Sequence, residues 1–214
     1  MPQVWFTADT HFGNPNIVKL QARPFMSQAE LELHAADPHG DWKVSRETIR
    51  RHDDALIEGM NELVAEDDTL WVLGDFCSGK FREATRYLER LRCQRINLVW
   101  GNHDHRTIGV AFSKTIEQGM ITVQGQMIWL NHYPMRSWNR SLHGSWHLYG
   151  HVHGRFAKQD EESFLLTRDV GVDACDYRPV SFDQVAHYMR PRVELLERAR
   201  ERYLNADHDD FPTA

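Results

Sequence analysis

The 214-residue sequence predicts a protein of the α/β class, and three observations support this prediction. Short apolar runs bounded by turn residues, at positions 4–6, 69–73 and 96–100, are typical of buried strands, although periodicity alone does not exclude a helix. A segment of helical period separates the second run from the third, and the order strand, helix, strand indicates a parallel sheet covered by helices. The hydrophobic share of 41% is ordinary for a globular protein.

Helices are favoured between the first two predicted strands. Residues 17–33 predict short helical pieces that Pro24 and its neighbours interrupt, and residues 37–41 are rich in turn formers. Ser45 then predicts the N-cap of a long helix, because apolar residues follow it at helical spacing: Ile49, Leu56, Met60 and Leu63.

The second half of the sequence predicts more strands. A helix at residues 81–91 precedes the third strand. Residues 121–123 and 127–130 flank Gly125 in the manner of a β-hairpin, and residues 147–149 predict a further strand.

The C-terminal part predicts a helical appendage. Ser181 is expected to cap a short helix that ends near Pro191, and residues 192–205 have the pattern of a last amphipathic helix. An acidic tail follows at residues 207–210. We therefore expect a main domain at residues 1–190 and an appendage at residues 191–214. The last helix docks on its own core or mediates dimerisation, so a monomer and a homodimer both stay open.

Composition excludes several classes of protein. A formal net charge of −6 provides no global basic field for DNA or an anionic membrane, although a local basic patch stays open. No apolar run approaches the roughly 20 residues that a membrane helix needs. The sequence starts without a secretory signal pattern, and its three cysteines lack metal-site or disulfide spacing. We expect a cytoplasmic protein with reduced cysteines that serve packing.

Five apolar runs end in residues able to bind a metal ion. Such residues converge beyond the carboxyl ends of parallel strands. In extended chain the members of an i, i+2 pair, such as Asp9 and His11 or His151 and His153, face the same side. Each motif alone is weak, but the five together are not expected by chance. They are Asp9 with His11, Gly74-Asp75, Asn102-His103-Asp104, Asn131-His132 and His151 with His153.

This order of motifs resembles the signature of the calcineurin-like metallophosphoesterases. The resemblance extends from about residue 4 to residue 183 and includes every signature element. It implies a four-layer α/β/β/α sandwich with a binuclear metal centre. It further implies that Asp9, His11, Asp75 and His153 hold one ion, and that Asp75, Asn102, His132 and His151 hold the other.

The charges agree with that implied centre. Two dications and two carboxylate ligands leave about two positive charges, which a phosphate ester can neutralise. Mixed nitrogen and oxygen ligands suit Mn²⁺, our first expectation, and also Fe²⁺, Zn²⁺ or Ni²⁺. The resemblance implies that His103, which is not a ligand, approaches the leaving-group oxygen as a proton donor. Asp104 either orients that imidazole or caps a turn, and His105 or Arg106 is an alternative donor.

The sequence differs from the branch of the family that acts on phosphoproteins. The protein phosphatase branch carries an arginine soon after its Gly-Asp motif, whereas Phe76 and Cys77 follow here. The sequence is more similar to small bacterial and phage phosphoesterases that share Arg23-Pro24-Phe25, His132-Tyr133-Pro134 and Gly171-Val172-Asp173. An insertion at residues 33–51 departs from them and is a candidate for modifying substrate access.

Three residues are candidate substrate contacts. The loop at residues 135–146 contains Arg136 and Trp138, which we interpret as a phosphate contact and a base-stacking surface. The alternative is that Trp138 packs the loop. Arg23 is a weaker candidate, with surface packing beside Pro24 as its alternative.

The leading hypothesis is a binuclear-metal-dependent phosphoesterase for a small, nucleotide-like phosphodiester or phosphomonoester. A nuclease acting on DNA or RNA is the enzymatic alternative, disfavoured by the acidic charge and the lack of a long basic or aromatic groove. A non-catalytic module with the same fold is a third hypothesis, but it would be expected to have lost ligands, and none is missing.

Overall fold

The computed structural model describes residues 2–205, in which nine strands form two β-sheets. The strands are β1 (Val4–Thr7), β2 (Thr69–Val72), β3 (Arg95–Val99), β4 (Lys114–Ile116), β5 (Gly119–Val123), β6 (Gln126–Leu130), β7 (Trp146–Tyr149), β8 (Thr167–Asp169) and β9 (Val180–Ser181). The α-helices of the described part are α1 (Pro15–Leu20), α2 (Gln28–Ala36), α3 (Arg46–Leu63), α4 (Phe81–Leu88), α5 (Ala157–Glu162) and α6 (Phe182–Asn205).

Both sheets are largely parallel. The first has the order β4-β3-β2-β1-β9, with parallel pairs except between β1 and β9. The second has the order β5-β6-β7-β8, with β5 antiparallel to β6 and the other pairs parallel. The predicted α/β class and the sandwich of two sheets flanked by helices are confirmed.

A hydrophobic core fills the space between the two sheets. Strand residues alternate between faces, so in β1 Phe6 points into this core while Trp5 belongs to the cluster on the other side of the first sheet. Ile128 and Leu148 of the second sheet are completely buried in the same core. The first sheet is buried on both faces, which explains its continuous apolar strands.

Helices α3 and α4 cover the outer face of the first sheet. Leu56, Met60 and Ala84 are buried there against Leu70 of β2. The side-chain hydroxyl of Ser45 accepts a hydrogen bond from the amide of Thr48 (3.1 Å), which confirms the predicted N-cap of α3.

The segment between β1 and α3 contains the two predicted short helices, α1 and α2. Ser27 and Glu30 form a capping box at the start of α2. The Glu30 carboxylate also accepts a hydrogen bond from the amide of Ser45 (2.6 Å), so it ties α2 to the start of α3. The candidate insertion at residues 33–51 therefore contains the end of α2 and the start of α3.

The hairpin between β5 and β6 forms as predicted. Both of its central residues, Gln124 and Gly125, have positive φ (48° and 83°), as a tight two-residue turn between twisted strands requires.

Helix α6 differs from the prediction. Two helices separated near Pro191 were expected, but one helix runs from Phe182 to Asn205 with Pro191 inside it. Ser181 caps it as predicted, since its hydroxyl accepts from the amide of Gln184 (3.2 Å). The helix continues because Met189 and Leu196, on either side of Pro191, are buried in the core between the sheets, and this burial outweighs one lost backbone hydrogen bond.

The proposed division between residues 190 and 191 lies inside α6, and the division into domains stays a prediction. The predicted acidic tail at residues 207–210 lies outside the described residues. Burial of Leu196 shows that this part of α6 docks on its own core.

The three cysteines are free, and Cys77 and Cys93 are buried in the core beneath α3 and α4. Their predicted packing role is confirmed. In the described part of the chain, no helix combines the length and the hydropathy that a membrane crossing requires.

Replacing Pro191 with alanine tests the continuity of α6. We expect P191A to raise the free energy of unfolding by about 1–2 kcal/mol, because proline in a helix interior costs about 3 kcal/mol relative to alanine and its stiffening of the unfolded chain offsets part of that. Urea denaturation measures the change. The exposed neighbour Arg190, changed to alanine, is the matched control. An unchanged or lower value for P191A would indicate that the helix ends at Pro191.

Candidate metal centre

The carboxyl ends of five strands meet at one edge of the sandwich. In the first sheet, the amide of Asp9 donates to the carbonyl of Gly74 (3.0 Å), and the amide of His11 donates to the carbonyl of Asp75 (2.9 Å). The two sheets are joined here, because the amide of His151 donates to the Asp9 carboxylate (2.8 Å). The predicted convergence of these loops is therefore present.

Six of the seven predicted ligands form two groups of three. Within each group, one potential ligand atom from each residue lies within 4.8 Å of the others. The groups alternate between chain segments, so His151 and His153, two residues apart, belong to different groups. Group one contains Asp9, His11 and His153, and group two contains Asp75, His132 and His151.

Asp75, a member of group two, also faces group one. Its Oδ2 is 3.5 Å from His11 Nε2 of group one and 3.5 Å from His132 Nε2 of group two. The seventh predicted ligand, Asn102, adjoins group two, with its Oδ1 3.0 Å from His132 Nε2. One carboxylate oxygen is thus equidistant from a histidine of each group.

The donor set fits metal ions. Buried polar atoms are normally hydrogen-bonded, yet Asp9 Oδ1 and His11 Nε2 are buried without a partner among the described residues. Their side chains are 0% and 3% exposed. An oxygen and a nitrogen lone pair left free in this position, beside further imidazoles and a carboxylate, match the ligands of a divalent transition metal.

Backbone conformation corrects the reasoning behind the i, i+2 pairs. Extended chain was expected, but all four residues of these pairs have positive φ: Asp9 (56°), His11 (47°), His151 (72°) and His153 (52°). Asp75 also has positive φ (56°). Such conformations are uncommon outside glycine and cost of order 1–3 kcal/mol each, so the surrounding hydrogen bonds must hold them. The side chains converge through tight turns rather than through strand alternation.

Two glycines permit the close approach of these turns. A Cβ on Gly74, which has a φ of 91°, would overlap the His132 ring. A Cβ on Gly150 would lie 2.5 Å from Asp9 Oδ2. Glycine at these positions lets ligand side chains from the neighbouring loops lie directly against the backbone.

Burial and mutual charge perturb the ligands. Burial raises the pKa of Asp9 to about 7 and lowers the pKa of His11 to about 3. Burial also opposes ionisation of Asp75 and His132, but the attraction between these two side chains is stronger than this effect. The pKa of Asp75 is therefore below its ordinary value, and the pKa of His132 is above its ordinary value. Without metal, the centre therefore retains protons near neutral pH.

His103 and Asp104 have different surroundings. His103 is exposed, and its ring lies edge-on to the ring of His11 with 5.5 Å between centroids. The Asp104 carboxylate accepts from the amides of Asp75 (2.9 Å), Phe76 (2.8 Å) and Gly101 (2.9 Å). Of the two alternatives for Asp104, these contacts support capping. Its catalytic assignment is wrong, because its oxygens hold backbone amides rather than the His103 ring.

Arg23 is neither a substrate contact nor a surface residue. It is completely buried, and its guanidinium donates to the Asp173 carboxylate through Nε (2.9 Å) and Nη2 (2.7 Å). Both sequence interpretations are therefore wrong. A buried charge requires a partner, and sequence alone does not show which of the many carboxylates supplies it.

The loop after His132 contains Trp138, for which a base-stacking role was predicted. Trp138 is 6% exposed, donates through Nε1 to the Ser145 hydroxyl (3.0 Å) and packs on His147, so it packs the loop and is not a stacking surface. Arg136 is exposed, and its phosphate contact stays a prediction. Tyr133 was missed as a candidate: it is 43% exposed, with its ring 4.6 Å from that of His151.

Two supporting carboxylates were also missed. Asp173 Oδ2 lies 2.6 Å from His153 Nδ1, and Asp169 accepts from the amides of Gly154 (2.9 Å) and Gly171 (2.7 Å). Asp173 belongs to the Gly171-Val172-Asp173 motif that resembles small phosphoesterases, and this resemblance is the sequence feature that could have indicated its role.

The chain is similar to several known proteins. The family model for the calcineurin-like phosphoesterase superfamily domain matches residues 3–168. An uncharacterised protein of Methanocaldococcus jannaschii is 27% identical over 94% of each chain. The gene 66 protein of Mycobacterium phage L5 is 28% identical over 49% of this chain and 41% of its own length. A crystal structure of an Aquifex aeolicus protein of unknown function has the same fold, with a TM-score of 0.64 and 21% identity over 88% of this chain and all of that one.

Binding of Mn²⁺ is expected to release protons and to strengthen as pH rises through about 7. The reason is that Asp9, whose pKa is raised to about 7, and His132, whose pKa is also raised, must each lose a proton before they bind a metal. Calorimetric titration in two buffers of different ionisation enthalpy, at about pH 6.5 and about pH 8.5, measures both effects. An affinity that stays flat across this interval would contradict the expectation.

Proposed function

The chain belongs to the calcineurin-like phosphoesterase superfamily and is a metal-dependent hydrolase of phosphate esters, and from this premise we propose that it uses two metal ions to hydrolyse small, nucleotide-like substrates. The ions are held by groups one and two together with Asn102. Asp75 bridges them. The substrate is a phosphodiester or a phosphomonoester.

The position of Asp75 carries this proposal. A carboxylate oxygen 3.5 Å from a histidine nitrogen of each group is suited to serve both ions at once. The amide of His103 donates to Oδ1 (2.8 Å), so the carboxylate has a fixed orientation with Oδ2 toward the histidines. When bound, two such ions clamp a phosphoryl group and supply a nucleophilic water at neutral pH.

Charge favours an anionic substrate. Asp9 and Asp75 are the two acidic ligands, and the histidines bind metal in their neutral form. Two dications then leave an excess of about two positive charges in a site of low exposure, where electrostatic attraction is stronger than in water. A phosphate ester provides the matching negative charge.

The ligand set supports a borderline metal. Imidazole nitrogens outnumber carboxylates, and this mixture is typical of Mn²⁺, Fe²⁺, Zn²⁺ and Ni²⁺ rather than of Ca²⁺ or Mg²⁺. We propose Mn²⁺ as the first ion to supply in assays. Fe²⁺, Zn²⁺ and Ni²⁺ suit the same ligands and are the alternatives.

His103 is the proposed proton donor. Its side chain is exposed at the centre, beside His11, and its backbone is fixed by the hydrogen bond to Asp75. An imidazolium at this position can protonate the leaving oxygen and stabilise its charge. The neighbouring His105 ring instead contacts Thr107, with 2.9 Å between Nδ1 and the hydroxyl.

The surface beside group two supports a small substrate with a flat organic group. Tyr133 presents a partly exposed ring against His151, and it takes the stacking role first assigned to Trp138. Arg136 is exposed three residues later and is the proposed phosphate contact.

Hydrolysis of bis-p-nitrophenyl phosphate tests the proposal. We expect activity that depends on added Mn²⁺, and we expect Asp75→Asn to lower kcat/KM by at least about tenfold, because the bridging carboxylate charge is lost. Asp68→Asn is the matched control, since Asp68 is a buried carboxylate just before β2 whereas Asp75 follows that strand. Full activity of Asp75→Asn would contradict the bridge.

Substrate class is decided by comparing nucleotides with polymers. Hydrolysis of mono- and dinucleotides, with the nucleoside and nucleotide products separated by chromatography, is measured beside gel assays on single- and double-stranded DNA and RNA. Faster turnover of the small substrates supports the proposal. Processive degradation of the polymers would replace it with a nuclease.

His103→Ala is expected to retain its metal ions but lose turnover. The loss should be largest for an ester with an alkyl leaving group, about 10²–10⁴-fold, because a poor leaving group needs a proton and p-nitrophenolate does not. Metal content is measured by elemental analysis and turnover with both esters. His105→Ala is the control. An equal loss for both leaving groups, or a loss of metal, would contradict the assignment.

A further inference from the structure

Arg23 uses every donor that a guanidinium has. Two of its N–H groups hold Asp173, and Nη2 also donates to the carbonyl of Asp9 (2.8 Å). Nη1 donates to the carbonyl of Thr10 (3.1 Å) and contacts Nε2 of His52 (2.7 Å). Five N–H groups thus have five acceptors, in a side chain with no exposed surface. Both the position and the orientation of this side chain are fixed.

The fixed guanidinium determines the hydrogen bonding of Asp173. The ionised carboxylate is only an acceptor, so the contact of 2.6 Å between its Oδ2 and His153 Nδ1 requires that Nδ1 carries the hydrogen. In a neutral imidazole the lone pair then lies on Nε2. A carboxylate behind a ligand histidine fixes both its tautomer and its ring orientation.

Arg23 itself is held from behind. Because it only donates, His52 accepts through Nε2, and its Nδ1–H donates to Asp53 (2.8 Å). Asp53 also accepts from the hydroxyl of Tyr87 (2.8 Å) and the amide of Gly13 (3.1 Å). This buried chain connects the metal centre to helices α3 and α4.

Arg23 and Asp173 contact ligands of group one and not those of group two, among the described residues. Arg23 reaches the backbone of Asp9 and of the following Thr10, and Asp173 reaches His153; Asp9 and His153 are ligands of group one. In group two, the His132 ring is instead oriented by the backbone carbonyl of Leu73, at 2.8 Å from Nδ1. The two groups therefore have independent supports.

Building on the proposed binuclear centre, we infer that Arg23 and Asp173 are positioning residues that set the metal affinity of group one selectively. They fix the His153 tautomer and tie the turn at Asp9 to the turn at His153. Group two keeps its affinity without them. The metal affinity of group one can therefore change without a change in the affinity of group two.

Titration of the metal-free protein with Mn²⁺ tests this inference. Wild type should bind two ions. Asp173→Asn removes the negative charge and one of the two acceptor oxygens, so Arg23 and His153 then share a single acceptor and the hydrogen on Nδ1 of His153 is held less firmly. We expect one ion to bind at least about tenfold more weakly and the other to change by less than about threefold. Calorimetry measures both affinities, and the spin-coupled signal of two Mn²⁺ ions should give way to that of one.

A second variant and a spectroscopic measurement separate positioning from general damage. Arg23→Lys keeps the charge but loses the fork, and it should cause the same selective loss. Nitrogen-15 NMR of labelled histidines should show a tautomer change at His153 in metal-free Asp173→Asn. Asp68→Asn, a buried carboxylate remote from the centre, should change thermal stability but neither affinity.

The outcomes are distinguishable. Equal weakening of both ions, failure of the variants to fold, or unchanged affinities would each overturn the inference while leaving the binuclear proposal in place. Fewer than two ions bound to wild type would overturn the binuclear proposal, and the inference with it.

Discussion

The contacts of Asp75 hold the candidate centre together. Its amide donates to Asp104, its carbonyl accepts from His11, its Oδ1 accepts from the amide of His103, and its Oδ2 faces His11 and His132. One residue thus connects three other loops through backbone and side chain together. Since it follows β2, a central strand of the first sheet, the positions of these loops depend on the packing of that sheet.

Backbone strain accompanies this arrangement. The positive φ of Asp9, His11 and Asp75 costs free energy that a fold for stability alone would avoid. Hydrogen bonds from the neighbouring loops offset it: the Asp104 carboxylate accepts three amides around Asp75, and Arg23 holds the carbonyl of Asp9. The Asp104 carboxylate thus stabilises the turn at Asp75, and the Arg23 guanidinium stabilises the turn at Asp9.

Sequence predicted the parts of the molecule that depend on local pattern. The strands, the Ser45 cap and the turn at Gly125 follow from periodicity and residue type, and the ligand motifs follow from their positions at strand ends. It did not predict the buried role of Arg23 and left two alternatives open for Trp138, because an arginine or tryptophan in a loop has the same local pattern whether it is exposed or buried. The continuous helix through Pro191 was missed for a related reason: tertiary burial of Met189 and Leu196 overrides a local signal.

The contact between Arg23 and Asp173 joins residues 150 positions apart, and Asp9 meets the amide of His151 across 142. Closing loops of this length has a large entropic cost that must be met before the contacts form, and contacts so distant in sequence slow folding. During synthesis from the N terminus, Asp9 and His11 emerge long before their partners. Group one is therefore completed only when most of the chain is available, so an ion held by this group would bind at the end of folding and would not nucleate it.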